Sequence, residues 1–343
     1  MSVATPNVDA TQARGGTAVA TPPATYRGKD PLAVAVLAVA TVAFSMVITT
    51  RSTEYLLNLW LVYSLAGVGF YWIFGLAGRF AFTHTMMMAL GAFTSAWVTR
   101  SGGAFLLGLV GAIALTAAVA AVLGLVLRRA QNFYFAIGTI AFGVVVHDVL
   151  TQAEWFTGPG GTASGITPPS LFGREFLTNR EVFWVLLGFL VAALVLGILI
   201  RRSPVQRMAT AARLDPVVSE VSGVPVTRLQ ISLFMLGSAT AGVAGALLAH
   251  WNGVVGVDSF GIDLDIGFFL MLLLGGVRSL WGPVLGAAFY VALPEVLSSI
   301  ERLSSVVYGV VLLVVILTWP EGLIGMMDRR PRWGRRRTLG RGR

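Results

Sequence analysis

The sequence contains no cysteine among its 343 residues, which excludes both a disulfide framework and thiol chemistry. Lysine occurs only at Lys29, and the phosphate-loop pattern Gly-x-x-x-x-Gly-Lys-Ser/Thr is absent. Because that loop binds the nucleotide phosphates in the common ATPases, this chain by itself cannot be one of them. Charged residues make up only 12% of the sequence, whereas soluble domains contain about 25%.

Long apolar runs fill most of the chain instead. Hydrophobic residues make up 56% of the sequence, and the mean hydropathy is +0.78. A bilayer core of about 30 Å is crossed by about 20 helical residues, and the runs here are continuous rather than alternating. We therefore predict an all-α polytopic membrane bundle rather than a β-barrel. Its ten predicted transmembrane spans lie at roughly 31–50, 55–77, 80–99, 104–127, 133–151, 182–200, 229–250, 264–277, 283–298 and 304–319.

The arginines predict how these spans are oriented, because cytoplasmic loops are enriched in Lys and Arg. With ten spans every basic cluster falls on one side, which puts both termini in the cytoplasm. The clusters are Arg27 with Lys29, Arg128 with Arg129, the arginines of 201–228, and the tail from Arg329. The net charge of +9 therefore lies in short loops and tails, a distribution that argues against nucleic-acid binding.

Composition divides the chain into three parts. Residues 1–30 are rich in Ala, Thr, Gly and Pro and are predicted to form a disordered cytoplasmic tail. Residues 31–322 are predicted to form the transmembrane domain, and 323–343 a basic cytoplasmic tail that attracts anionic membrane lipid. The predicted external loop 151–181 carries aromatic residues among its glycines and prolines, which favours a packed loop over a plain connector.

The cytoplasmic segment 201–228 is predicted to form two short capped helices. Ser203 is the expected N-cap of the first helix, ahead of Pro204 and with Gln206 as a capping-box partner. Asp215 is the expected N-cap of the second helix, ahead of Pro216.

Gly223 is predicted to end this second helix, which carries an apolar stripe. Such a stripe must be buried in lipid, in the bundle itself or in a partner protein. The pattern favours the bundle and a partner about equally. The stripe consists of Leu214, Val217, Val218 and Val221.

Four stretches of the chain carry recognisable motifs. Residues 203–250 read SPVQRMATAARLDPVVSEVSGVPVTRLQISLFMLGSATAGVAGALLAH, and residues 75–96 read GLAGRFAFTHTMMMALGAFTSA. Residues 135–166 combine a span with a Gly-rich loop, and residues 258–297 contain LLLGGVRSLWGPVLGAAF. Together, from about Leu56 to Gly322, they resemble the permease subunits of ABC importers for branched-chain amino acids.

The resemblance implies a bacterial inner-membrane subunit that is not itself an enzyme and binds no cofactor or metal. It implies two separate ABC ATPase subunits that bind ATP and Mg, a second homologous permease chain, and an external solute-binding protein. The residues implied in ATPase coupling are Arg207, Ala211, Arg213, Asp215, Val218, Glu220 and Gly223. The residues assigned to a substrate pathway are Gly78, Thr83, His84, Gly91, Gly275, Gly276 and Ser279.

Departures from the family pattern at Ala81 and Thr83 leave the substrate open, from branched-chain amino acids to related small amphipathic solutes. The alternative function is an ATP-independent secondary transporter or channel, which would need ionisable groups at mid-membrane depth. The candidates for such groups are all predicted near the outer interface: His147, Asp148, Asp263, Asp265 and Glu295.

Glycine-rich breaks occur in both halves of the chain, around 75–91 and around 275–286. Broken helices in corresponding positions are typical of transporters built from inverted repeats. We therefore predict that spans 2–5 and spans 7–10 form an inverted repeat.

Overall fold

The computed structural model describes residues 51–130, 132–171 and 174–297. The predicted tails at 1–30 and 323–343 lie outside these residues, as do the predicted first and tenth spans at 31–50 and 304–319.

Helices make up most of the described chain. They are α1 (Arg51–Phe70, continued as a π-helix over Tyr71–Leu76), α2 (His84–Arg100), α3 (Phe105–Val126), α4 (Asn132–Gln152), α5 (Glu154–Thr157), α6 (Asn179–Arg202), α7 (Pro204–Leu214), α8 (Pro216–Val221), α9 (Val226–Asn252), α10 (Ile262–Gly275) and α11 (Gly282–Leu297). The short strands are β1 (Thr162–Ser164), β2 (Ser170–Leu171), β3 (Arg174–Glu175) and β4 (Val254–Gly256).

Five helical segments are long and apolar enough to cross a membrane, so the described residues form a helical membrane protein. They match the predicted second, fourth, fifth, sixth and seventh spans, and are Ser52–Leu76, Phe105–Val126, Phe133–Gln152, Asn179–Arg202 and Val226–Asn252. The predicted third and eighth spans are helices of 17 and 14 residues, shorter than the usual crossing length of about 20. The predicted ninth span is helical from Gly282 to Leu297, where the described residues end.

Helices α1 and α9 form the centre of the bundle, and glycines let their neighbours approach closely. Helix α9 packs against α1, α2 and α3, while α1 also packs against α6 and α11. A Cβ atom on Gly91 would lie 2.2 Å from the Gly242 carbonyl oxygen, and one on Gly245 would lie 1.9 Å from that of Met88. Side chains at these positions would push α2 and α9 apart, so the glycines set the helix spacing.

The loop between α4 and α6 is packed against the bundle, as its aromatic content predicts. Strand β1 of this loop pairs antiparallel with β4, with Thr162 opposite Gly256. The Phe156 ring lies 6.5 Å from that of Phe93 in α2, and Ala163 in β1 is fully buried. The loop is therefore an ordered structural element rather than a plain connector.

His250, at the C-terminal end of α9, joins this loop to α2. Its Nδ1 lies 2.7 Å from the Thr167 carbonyl oxygen, and its Nε2 lies 2.8 Å from Ser95 Oγ. Because a carbonyl oxygen only accepts, Nδ1 carries the proton and donates to Thr167, and Nε2 of the neutral ring accepts from the Ser95 hydroxyl. The ring also packs edge-on against Phe105, so one buried side chain holds several elements together.

Replacing His250 by alanine removes both hydrogen bonds and leaves the Ser95 hydroxyl without its partner. We expect trypsin to cleave the loop at the exposed Arg174 roughly tenfold faster than in the wild type, because local opening becomes easier. Limited proteolysis of the detergent-purified protein, followed by mass spectrometry, measures this rate. His147→Ala is the matched control, since the His147 contacts are with exposed carboxylates. Equal cleavage rates in the two variants would contradict the anchoring role of His250.

Candidate functional site

The segment 201–228 forms α7 and α8, as predicted, and Ser203 is the N-cap of α7. Its Oγ accepts a hydrogen bond from the Val205 N–H at 3.2 Å, and Pro204 is the first helical residue. The predicted capping box is wrong, because Gln206 Oε1, which would accept from the Ser203 N–H, has no hydrogen-bond partner, and the amide nitrogen faces Thr210 Oγ1. The physical reason is that the Ser203 N–H already donates to the carbonyls of α6, so it offers nothing to Gln206.

Helix α8 is closed at both ends by its own residues. Asp215 Oδ1 accepts from the N–H groups of Val217 and Val218, each at 3.0 Å. At the other end Gly223 has a φ of 85°, and its N–H and that of Val224 donate back to carbonyls of α8 in the Schellman pattern. The predicted caps at Asp215 and Gly223 are therefore confirmed, and α8 is a short rigid element.

The apolar stripe of the second helix is exposed. Val218 is 60% exposed and Val221 is 86% exposed, and Leu214 and Val217 are exposed to a similar degree. The opposite side of the α7–α8 pair packs inward through Ala209, Ala212 and Ser219, which are buried. No described part of the bundle covers the stripe, so the described residues do not bury it.

Arg213 ties α7 to the end of α1. Its Nη1 donates to the Gly75 carbonyl oxygen, and its side chain runs past Gly78, where a Cβ atom would lie 3.1 Å from Arg213 Cγ. Partial burial, and then the nearby charge of Arg278, lower the pKa of the Arg213 guanidinium from its ordinary value. This hydrogen bond joins α7 to the end of the α1 helical run.

Arg79 makes a second link, which the sequence analysis did not identify. Its guanidinium donates to Gln230 Oε1 at 2.7 and 3.0 Å and to the Ala130 carbonyl oxygen at 2.8 Å. It also lies 4.8 Å above the ring centre of Phe135. Partial burial lowers the pKa of this guanidinium. Arg79 therefore connects the start of α9, the α3–α4 link and α4.

The remaining residues of the predicted coupling set lie on the exposed surface of α7 and α8. Arg207 and Ala211 are exposed on α7, and Glu220 is exposed on α8. None of them takes part in an ion pair within the described chain.

The residues predicted for a substrate pathway lie in four places rather than in one group. Thr83 and His84 form the start of α2, and both are buried. Gly91 lies at the contact of α2 with α9, and Gly78 lies against Arg213. The other three form the turn between α10 and α11, where Gly276 has a φ of 114°: Gly275, Gly276 and Ser279.

Asp265 is a buried residue that the sequence interpretation put at the outer border. It is 2% exposed, and its Oδ1 accepts from the Thr85 N–H at 3.0 Å at the start of α2. The prediction was wrong because Asp265 lies on the same buried face of α10 as Phe268, Met271 and Leu272. Asp263, two residues earlier, is exposed. The helical spacing of Asp265 from these apolar residues was the signal in the sequence that it would be buried.

Comparison with known proteins identifies relatives along most of the chain. A model of the family described as branched-chain amino acid transport system permease component matches residues 52–316. The permease protein LivM of the high-affinity branched-chain amino acid transport system is 27% identical in both Salmonella typhimurium and Escherichia coli K12, over 87% of this chain and 76% of LivM. LivH of Escherichia coli K12 is 25% identical over 77% of this chain and 91% of LivH. No solved structure matches.

Proposed function

Because the chain belongs to the family of branched-chain amino acid transport system permease components, we propose that it is the transmembrane subunit of an ATP-driven importer. Its substrate is a branched-chain amino acid or a related small amphipathic solute. Two separate ATPase subunits bind ATP and Mg, a second homologous permease chain completes the pathway, and an external binding protein delivers the solute. The chain lies in the bacterial plasma membrane with both termini in the cytoplasm.

The observation that carries this proposal is the exposed apolar stripe on a helix capped at both ends. Because apolar side chains on a rigid helix suit a complementary cleft, α8 is the docking element for an ATPase subunit. When the ATPase pair closes, α7 and α8 move together. Arg213 transmits this movement to the end of α1, and the spans rock between inward-open and outward-open arrangements.

The proposal includes ten spans with an inverted repeat, and the pattern of neighbours among the described helices supports the repeat. A two-fold relation would exchange α1 with α9, α2 with α10, and α3 with α11. The pairs α2–α3 and α10–α11 are both in contact, and so are α3–α9 and α11–α1. At the centre a Cβ on Gly69 would lie 2.7 Å from the Gly237 oxygen, and one on Gly237 would lie 2.6 Å from the Gly69 oxygen. Such a reciprocal contact is expected on a two-fold axis.

Replacing Arg213 by alanine leaves the exposed stripe intact but removes the link to Gly75. We expect ATP hydrolysis by the assembled importer to continue while solute uptake per ATP falls about tenfold, because one charged hydrogen bond is lost from the coupling path. Parallel measurement of uptake and hydrolysis in proteoliposomes gives this ratio. Arg100→Ala is the control, since Arg100 is exposed at the C-terminal end of α2 and lies outside the predicted coupling set. An unchanged ratio in Arg213→Ala would show that the link does not transmit movement.

Co-purification tests the proposal as a whole. The full chain is purified gently from its native membrane, and mass spectrometry identifies the proteins that accompany it. Recovery of ATPases with the phosphate-loop motif and of a second permease is the expected result. Repeated recovery of the chain alone, active in transport without ATP, would overturn it in favour of a secondary transporter. The buried Asp265 is the observation that favours this second candidate.

A further inference from the structure

The start of α2 lies inside the apolar layer rather than at its surface. His84 Nε2 is 2.8 Å from the carbonyl oxygen of Ala66 in α1. At about 1.5 Å per residue, Ala66 lies about 21 Å along the helix from Ser52, and the apolar segment continues beyond it to Leu76. The N-terminus of α2, where backbone N–H groups have no partner within the helix, is therefore enclosed by other helices.

Asp265 is buried, which no other described Asp or Glu residue is. Its carboxylate accepts a hydrogen bond from the Thr85 N–H at this terminus. No described Arg or His forms an ion pair with it. A carboxylate in an apolar layer is costly unless a cation or several hydrogen-bond donors stabilise it. The positive end of the α2 dipole and the Thr85 N–H supply part of this stabilisation, but they supply no cation.

The same place holds buried polar atoms with no partner. Thr83 is the N-cap residue of α2, yet its hydroxyl makes no capping bond, and its Oγ1 is buried without a hydrogen-bond partner. The Nδ1 atom of His84 is also buried and unpartnered. Its ring lies between those of Phe70 and Phe268, at 5.4 and 5.5 Å. Hydrogen-bonding capacity and aromatic surface therefore adjoin the carboxylate.

These groups are complementary to a small zwitterion with an apolar side chain. An ammonium group would supply the cation that Asp265 lacks. A carboxylate would accept from the Thr83 hydroxyl and from N–H groups at the start of α2, which have no partner within the helix, as anions do at helix N-termini. An aliphatic side chain would contact Phe70 and Phe268. An uncharged solute such as an amide would satisfy neither charged requirement.

We propose that Asp265 and the N-terminus of α2 form a recognition site for the α-ammonium and α-carboxylate groups of a free amino acid during its passage. Asp265 binds the ammonium group, and the substrate carboxylate takes the place of the Asp265 carboxylate at the Thr85 N–H. The site selects amino acids over uncharged solutes of similar size. This inference rests on the proposed transport function and names the substrate class within it.

The test uses the full chain purified with its partner subunits and without the binding protein. Binding of labelled leucine is measured in competition with 4-methylpentanoate, which lacks the amine, and with 4-methylpentanamide, which lacks both charges. In the wild type, leucine should displace the label far better than either analogue. In Asp265→Asn the preference for leucine over 4-methylpentanoate should fall about tenfold or more, because the counter-ion of the amine is lost. Asp263→Asn, on the exposed side of the same helical turn, should keep it.

The preference is a ratio within each variant, so a smaller amount of folded protein does not alter it. An unchanged ratio in Asp265→Asn would overturn the proposal, as would equal weakening of leucine and 4-methylpentanoate, which would indicate a structural role. If the variant does not fold, equal competition by all three compounds in the wild type overturns it. ATP-dependent leucine uptake by the wild type with its binding protein is measured in parallel. Uptake without leucine binding contradicts this site alone, whereas absence of any uptake contradicts the proposed function.

Discussion

Gly245→Val will prevent α2 and α9 from reaching their native separation, and we expect the protein to lose most of its stable fold. A Cβ at this position would lie 1.9 Å from the Met88 carbonyl oxygen, and backbone cannot move aside as a flexible side chain can. Overpacking in a core typically costs about 1–3 kcal/mol, and a clash with backbone in the central helix pair is expected at or above the upper end of that range. The midpoint temperature for loss of the monodisperse chromatographic peak measures the effect.

Gly188→Val is the matched control for this experiment. Gly188 lies within α6, and no atom lies within 4 Å of a Cβ built on it, so the same change adds a side chain into open space. The two variants lose the same glycine flexibility and gain the same β-branched residue, which cancels the helix-propensity effect. Similar midpoint temperatures for the two variants would contradict the close contact of α2 with α9.

Val218→Asp will reduce solute uptake about tenfold or more while the protein still inserts and folds. In the proposed docking of α8, a charge at the centre of the apolar contact with the ATPase must be desolvated, and hot-spot residues of this kind contribute about 2 kcal/mol or more to binding. Val218 is 60% exposed in the described chain, so the substitution leaves its own bundle unaffected. Uptake in proteoliposomes and the amount of ATPase retained during purification are the measurements.

Val254→Asp is the control for the charge itself, because Val254 is 50% exposed in β4, beyond the other end of α9.

Gly223→Pro tests the rigidity of α8 separately. Its φ of 85° is closed to proline, whose φ is near −65°, and the Gly223 N–H that bonds to Glu220 would be lost. Normal uptake in both Val218→Asp and Gly223→Pro would remove the docking role from α8.

The parts of the site that were predictable depend on residues close together in the chain. Asp215 caps N–H groups two and three residues away, and Gly223 adopts the left-handed turn that ends α8. The exposure of Val218 was left open by the pattern, because a stripe of this kind is equally suited to the bundle and to a partner. The capping box at Gln206 failed for a different reason, because the Ser203 N–H already donates to carbonyls of the preceding helix α6.

The sequence by itself determined the membrane class, the five long spans and the caps of α7 and α8, because apolar length and capping act locally. Only the tertiary structure decided which polar groups meet. Asp265 bonds to Thr85 across 180 residues, Arg79 to Gln230 across 151, and Arg213 to Gly75 across 138. Such partners depend on how the helices pack, and the packing depends on glycine contacts between helices that no local pattern specifies.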